Sequence, residues 1–183
     1  AALLFSQQAA LGETTAKPGR VLPSPTGNRA NPTRFGDRIA DEAFGAFQRG
    51  MYKTALTLAL QQASAGEPNA QTLAAEIYAR GLGVRQDHKE AARLYMLAAQ
   101  KGVTEAQLQT ALYMLDGKYI PKDPKEAAIL MQKAADRGNR TAQFNYAQIL
   151  MQANPGPSGL KQASPYFRKA AELEQDDPLV LSI

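Results

Sequence analysis

From residue 41 onward, apolar and polar positions follow the spacing of amphipathic helices, and the whole pattern recurs every 36 residues. A glycine and an alanine-glutamine pair recur at intervals of 36 residues in three successive stretches. These positions are Gly66, Gly102 and Gly138, and Ala70, Ala106 and Ala142 with the glutamines Gln71, Gln107 and Gln143 that follow them. Matches at so many positions indicate an array of repeated units rather than one irregular domain.

Each unit carries the signals of two helices joined by a short turn. Residues 70–80 place apolar side chains on one helical face, and the turn at 81–84 ends this helix because its glycines accept a positive φ. Asp87 and Glu90 then have the spacing of a capping box, which recurs one unit later. A cation and a glycine, as at Lys101-Gly102, close the second helix, and we expect the cation to face the negative end of the helix dipole.

One such helical hairpin cannot bury its apolar face alone, so neighbouring units must stack on one another. The sequence therefore predicts an all-α, right-handed α-solenoid of antiparallel helix pairs. We place the units at about 41–69, 70–105, 106–141 and 142–177, with the start of a further helix at 178–183. Residues 1–40, which contain four of the chain's prolines, are predicted to form an extended N-terminal arm or linker.

The stretch from Ala70 to Gly102 resembles a Sel1-like repeat, a tetratricopeptide-like unit, almost position by position, and residues 106–138 are similar. The fourth unit departs in its turn at 154–159, which lacks the aspartate cap, and the shorter first unit resembles a tetratricopeptide repeat. The resemblance covers roughly residues 41–183. It implies a superhelix that binds other proteins, of a kind common in bacterial envelope, secretion and signalling assemblies, and it implies no activity.

The composition removes most forms of catalysis. Cysteine is absent and His88 is the single histidine, so thiolate metal sites, catalytic thiols and multi-histidine metal centres are excluded. His88 is expected to face solvent at the start of a second helix, and the acidic residues of the repeats do not converge on one pocket. We therefore predict that the protein is not an enzyme and has no cofactor, no metal and no small-molecule substrate.

The net charge of +4 is concentrated in the arm. Residues 1–40 carry five basic residues against two acidic ones, while in the repeats lysines alternate with acids, as at Lys89-Glu90. The repeats are therefore not expected to bind nucleic acid. The arm could form a polyanion-binding module, and a solvated linker is the simpler interpretation. A further alternative is that the chain is the accessory region of a larger envelope enzyme.

The predicted partner site lies on the first helix of each unit. By analogy with tetratricopeptide repeats, its third, seventh and tenth positions line the concave side. These are Thr72, Glu76 and Ala79, then Leu108, Leu112 and Leu115, and then Phe144, Gln148 and Met151. Most of the later ones are large and apolar, which favours binding of an apolar or amphipathic segment of another protein in a multiprotein assembly. The alternative is that some of them form the core between repeats.

One candidate ligand lies in the chain itself. The run at residues 1–11 contains Leu3, Leu4, Phe5 and Leu11, and a tether of about 30 residues could carry it up to roughly 100 Å. It could therefore dock in its own groove or self-associate with a neighbouring chain. The same run could be the remnant of a signal peptide or membrane anchor. With the family resemblance, it suggests a setting in the bacterial periplasm or cell envelope.

Overall fold

A computed structural model describes residues 38–172, with side chains from residue 42 onward. Within this range the chain forms eight helices and no strand. The helices are α1 (Arg38–Gln48), α2 (Tyr52–Ser64), α3 (Pro68–Arg80), α4 (His88–Gln100), α5 (Thr104–Asp116), α6 (Pro124–Asp136), α7 (Arg140–Ala153) and α8 (Pro157–Glu172). Helix α1 begins slightly before the predicted boundary at residue 41. The predictions for residues 1–37 and for the helix at 178–183 lie outside the described residues.

Each described helix packs mainly against the next one along the chain, which is the contact pattern of stacked hairpins. The predicted all-α solenoid of antiparallel helix pairs is confirmed. Helices α3, α5 and α7 are the first helices of the three 36-residue units, and α4, α6 and α8 are the second ones. The pair α1–α2 precedes them and turns tightly at Gly50, which has a φ of 75°.

The predicted turn and cap chemistry is present. Gly81 and Gly117 end α3 and α5 in the left-handed conformation, with φ values of 66° and 76°. The Asp87 side chain accepts a hydrogen bond from the Glu90 amide at 3.0 Å. Asp123 accepts the amides of both Lys125 and Glu126 at the start of α6. These bonds satisfy amide groups that a helix N-terminus otherwise leaves without partners.

The core consists of alanines that bring helices together and of a few larger side chains that fill the remaining space. One cluster spans α1 to α5 and includes Ile77, Leu94 and Tyr95. A second cluster lies on α5, α6 and α7 and includes Leu108 and Met131. The repeated alanines of both clusters are almost fully buried, so the helix backbones approach closely there.

Repeated hydrogen bonds join successive units. The glutamine near the start of each first helix donates its amide to a carbonyl eight residues earlier, at the end of the preceding second helix. The pairs are Gln71 with Ala63, Gln107 with Ala99, and Gln143 with Ala135. The cations at the ends of the second helices, which were predicted only to face the helix dipole, also form hydrogen bonds to the preceding unit. Lys101 donates to the carbonyl of Gly66, and Arg137 donates to that of Gly102, so each cation reaches back one unit.

The fourth unit has its own turn. Helix α8 starts at Pro157 directly after a three-residue connection, whereas seven residues separate α5 from α6. This short connection brings the first turn of α8 against the end of α7, where Gly159 is buried. A Cβ atom on Gly159 would overlap the Asn154 carbonyl and lie 3.2 Å from the carbonyl oxygen of Leu150. The departure from the repeat pattern therefore depends on a glycine inside the helix.

Candidate functional site

The structure places most of the predicted groove residues at the surface of α3, α5 and α7. Thr72, Glu76 and Leu115 are half-buried, whereas Leu112, Gln148, Phe144 and Met151 are exposed. Large hydrophobic residues are exposed at six described positions, and three of these belong to the predicted set. The six are Met51, Leu112, Ile129, Phe144, Met151 and Leu160. The predicted sites Leu3, Leu4, Phe5 and Leu11 lie outside the described residues.

The prediction that Leu108 lines the groove is wrong. Its side chain is 3% exposed and packs in the second core cluster, together with Leu130 and Ala142. Ala142 belongs to α7, so the Leu108 side chain faces the following unit and not an open groove. Leu108 is therefore core between repeats, which is the alternative that the sequence left open for these positions.

Leu112 lies beside an aromatic cluster that the sequence did not reveal. The Nδ1 atom of His88 and the hydroxyl group of Tyr113 share a hydrogen bond of 2.9 Å. The His88 ring also stacks on Tyr119, with 4.8 Å between the ring centroids. His88 is half-buried in this cluster, so the expectation that it faces solvent is wrong. Tyr119 belongs to the turn after α5 and carries no helical periodicity that could have pointed to it.

These rings form one side of a shallow pocket of about 300 Å³ at the surface of α5. The pocket is lined by His88, Gln109, Leu112, Tyr113, Asp116 and Tyr119. Burial raises the pKa of the Tyr113 hydroxyl, with a smaller contribution from Tyr119, so this group stays protonated at neutral pH. The pocket therefore offers mainly aromatic and aliphatic surface with a carboxylate at its edge, a chemistry that suits an apolar anchor side chain.

The charge on the same side of the solenoid is largely compensated locally. Glu76 pairs with Arg80 at 2.9 Å on the surface of α3. Such an exposed pair contributes little to stability, but it neutralises the carboxylate at a predicted groove position. The equivalent positions on α5 and α7 are Leu112 and Gln148, which carry no charge. A partner segment would therefore meet an apolar and nearly neutral surface.

A second depression lies between α4 and α6, with α5 as its floor. It has a volume of about 670 Å³, and Gln107 and Thr110 are among the residues that line it. Both side chains are buried, and within the described residues neither Oε1 of Gln107 nor Oγ1 of Thr110 has a hydrogen-bond partner. The equivalent glutamine oxygens of Gln71 and Gln143 also have no partner in the part of the chain that the structure describes, so this feature belongs to the repeat rather than to one site.

The described residues contain no group of three or more histidine, aspartate or glutamate side chains placed to hold a metal ion. None of the helices between residues 38 and 172 is both long and apolar enough to cross a bilayer.

Stacked helix pairs with caps and small residues at a fixed step define the class of tetratricopeptide-like solenoid proteins. A profile of the Sel1 repeat matches residues 68–103, 104–139 and 141–174, which together make up more than half of the chain. The protein therefore belongs to the Sel1 repeat family, whose repeats generally serve as protein-interaction modules and not as catalysts. The pair α1–α2 precedes the first matched residue.

Two solved structures show the same architecture. A Sel1 repeat protein from Oxalobacter formigenes is 27% identical with a TM-score of 0.64, and the match covers 72% of this chain and 54% of that one. The protective antigen c5321 of uropathogenic Escherichia coli, which has an SLR fold, is 25% identical with a TM-score of 0.61. That match covers 75% of this chain and 32% of the antigen, so this chain corresponds to only part of either protein. A comparison with curated protein sequences found no significant match.

Proposed function

We propose that this protein is a non-catalytic scaffold that binds an apolar or amphipathic segment of another protein along the A-helix strip. We define this strip as Thr72 and Glu76 on α3, Leu112 and Leu115 on α5, and Gln148 and Met151 on α7. The observation that carries the proposal is the exposure of Leu112 and Met151 on the first helices of two successive units. Large apolar side chains left at such positions favour a partner that covers them.

The pocket beside Leu112 supports an apolar anchor as the central contact. An amphipathic helix presents apolar side chains at intervals of three or four residues, so one of them could enter the pocket while the next reaches Leu115 or Met151. Full burial of a leucine-sized side chain contributes about 1.5–3 kcal/mol. The His88–Tyr113 hydrogen bond holds two rings of the pocket in place, which lowers the entropy cost of binding.

The test combines photocrosslinking with matched charge substitutions. A photoreactive residue at position 112 is expected to capture the partner from the native source, and mass spectrometry identifies the protein and the crosslinked segment. The combined variant Leu112→Glu and Met151→Glu should then weaken binding of that segment at least tenfold, which corresponds to about 1.4 kcal/mol. Ile129→Glu is the control, because Ile129 is an apolar residue on the second helix α6 that is even more exposed than Leu112 and Met151.

Equal losses of affinity for the double variant and for Ile129→Glu would contradict the proposal, and so would unchanged affinity of the double variant. A crosslink from position 112 to residues 1–11 would instead identify the N-terminal run, with Leu3, Leu4, Phe5 and Leu11, as the occupant. Docking and self-association through the arm, polyanion binding by the arm, an accessory role in a larger envelope enzyme and the envelope setting all stay predictions. Fractionation of cells that carry the tagged chain would test the last of these.

A further inference from the structure

We propose that residues 178–183 of this chain pack as the start of a helix against the end face of the fourth unit, which we define as Phe144 on α7 and Phe167 on α8. The proposal concerns a surface separate from the A-helix strip. It assigns Phe144 to stacking between units instead of to a protein partner.

The comparison of equivalent positions carries the proposal. Phe144 and Phe167 stand one 36-residue step after Leu108 and Met131. Leu108 is 3% exposed and Met131 is fully buried, because the start of α7 completes their cluster through Ala142. Phe144 is 49% exposed, and its ring contacts Phe167 edge-on at a centroid distance of 5.6 Å. The fourth unit therefore shows, within the described residues, the same pair of core positions without a following helix over them.

The sequence that follows α8 has the features of such a helix. Asp177-Pro178 repeats the arrangement of Asp123-Pro124, where the aspartate caps α6 and the proline is its first helical residue. The next residues, Leu179, Val180 and Leu181, are apolar. The same 36-residue step places Pro178 at the position that Ala142 has in the preceding unit. We therefore expect Pro178 and the apolar residues directly after it to lie over Phe144.

The connection is long enough for this packing. Residues 173–177 lie between the end of α8 and Pro178, and five extended residues span up to about 17 Å. Packed helix axes are only about 8–10 Å apart. A covalently attached segment also has an effective concentration in the millimolar range, which favours it over a second copy of the chain at micromolar concentration.

The experiment is a double-mutant cycle in the full chain, read by hydrogen exchange of the α8 amides. Phe144→Ala is one substitution, and the combined change of Leu179, Val180 and Leu181 to serine is the other. We expect each to raise exchange in α8 at least tenfold, and the two together to add less than twofold to the larger single effect, because they remove the same contact. Ile129→Ala on α6 is the control. Its effect on hydrogen exchange and that of the serine variant should multiply in the combined variant, because the two substitutions affect separate contacts.

Three outcomes would overturn the proposal. The serine variant could leave the exchange of α8 unchanged, or its effect could multiply with that of Phe144→Ala. Protection of α8 could also rise with protein concentration between 1 and 100 μM, in which case a second copy of the chain covers the end face. Because the A-helix strip keeps all its residues in these variants, their partner affinity reports separately on the proposed function.

Discussion

The close approach of α8 to α7 leads to a prediction about Gly159. In the substitution Gly159→Ala, the new Cβ atom would overlap the Asn154 carbonyl oxygen and lie 3.0 Å from the carbonyl carbon of the same residue. It would also lie 3.2 Å from the carbonyl oxygen of Leu150. All of these are backbone atoms, so no side-chain rotation can relieve the contact, and the first turn of α8 must shift or unwind.

The magnitude follows from two opposing effects. Overpacking in a rigid site costs about 1–3 kcal/mol, and the backbone contacts here place the cost in the upper part of that range. Alanine is a better helix former than glycine by about 1 kcal/mol, which offsets part of it. The expected net loss in the free energy of unfolding is therefore about 1–2 kcal/mol. For a chain of this size that corresponds to a decrease in Tm of about 2–8 °C.

Gly45→Ala is the matched control for this substitution. Gly45 also lies inside a helix, α1, but a Cβ atom there would meet only the Arg49 guanidinium, at 3.3 Å, and that flexible group can move away. This variant should gain up to about 1 kcal/mol. Thermal and urea unfolding, followed by circular dichroism, measure both variants. If Gly159→Ala melted at or above the wild-type temperature while Gly45→Ala melted higher, the close contact between α7 and α8 would be wrong.

Two further substitutions test the buried polar groups. Thr110→Val should raise the free energy of unfolding by about 1 kcal/mol, because it removes a buried hydroxyl that has no partner among the described residues. A loss of stability in urea unfolding would show instead that the hydroxyl is hydrogen-bonded. Burial, followed by the nearby Glu76 carboxylate, raises the pKa of Tyr95, so the stability this group contributes is complete below about pH 10 and is lost as the pH rises through its folded-state pKa. Tyr95→Phe should therefore make stability fall less steeply above about pH 10, and urea midpoints that decline equally in both proteins would contradict this.

The sequence was sufficient for the fold because the local signals of successive units agree with one another. Asp87 and Asp123 cap the helices that their spacing predicted, and Gly81 and Gly117 take the left-handed conformation that ends the first helices. These are short-range interactions, decided within a few residues of chain. The fourth unit was less predictable because its turn depends on a close backbone contact at Gly159, which has no local sequence signature.

The candidate site was predictable only in part because it depends on contacts between units. The repeat register located Leu112 and Met151 on the exposed side of α5 and α7. It could not show that Tyr119 folds onto His88, because that contact joins the turn inside the α5–α6 pair to the start of α4 in the preceding unit. Nor could the register show that Lys101 reaches the Gly66 carbonyl, a bond that crosses from one unit to the one before.

Equivalent positions in this solenoid differ in burial because of their neighbours. Thr72, Leu108 and Phe144 occupy the same place in three successive first helices, yet they are half-buried, buried and exposed in turn. Leu108 is buried by Ala142 of the following unit, whereas no described helix follows the unit that contains Phe144. Leu112 is one turn further along α5 than Leu108 and stays 37% exposed although α6 and α7 both follow it. The exposure of Leu112 therefore persists with its neighbouring units in place, which makes Leu112 a stronger indicator of a binding surface than the more exposed Phe144.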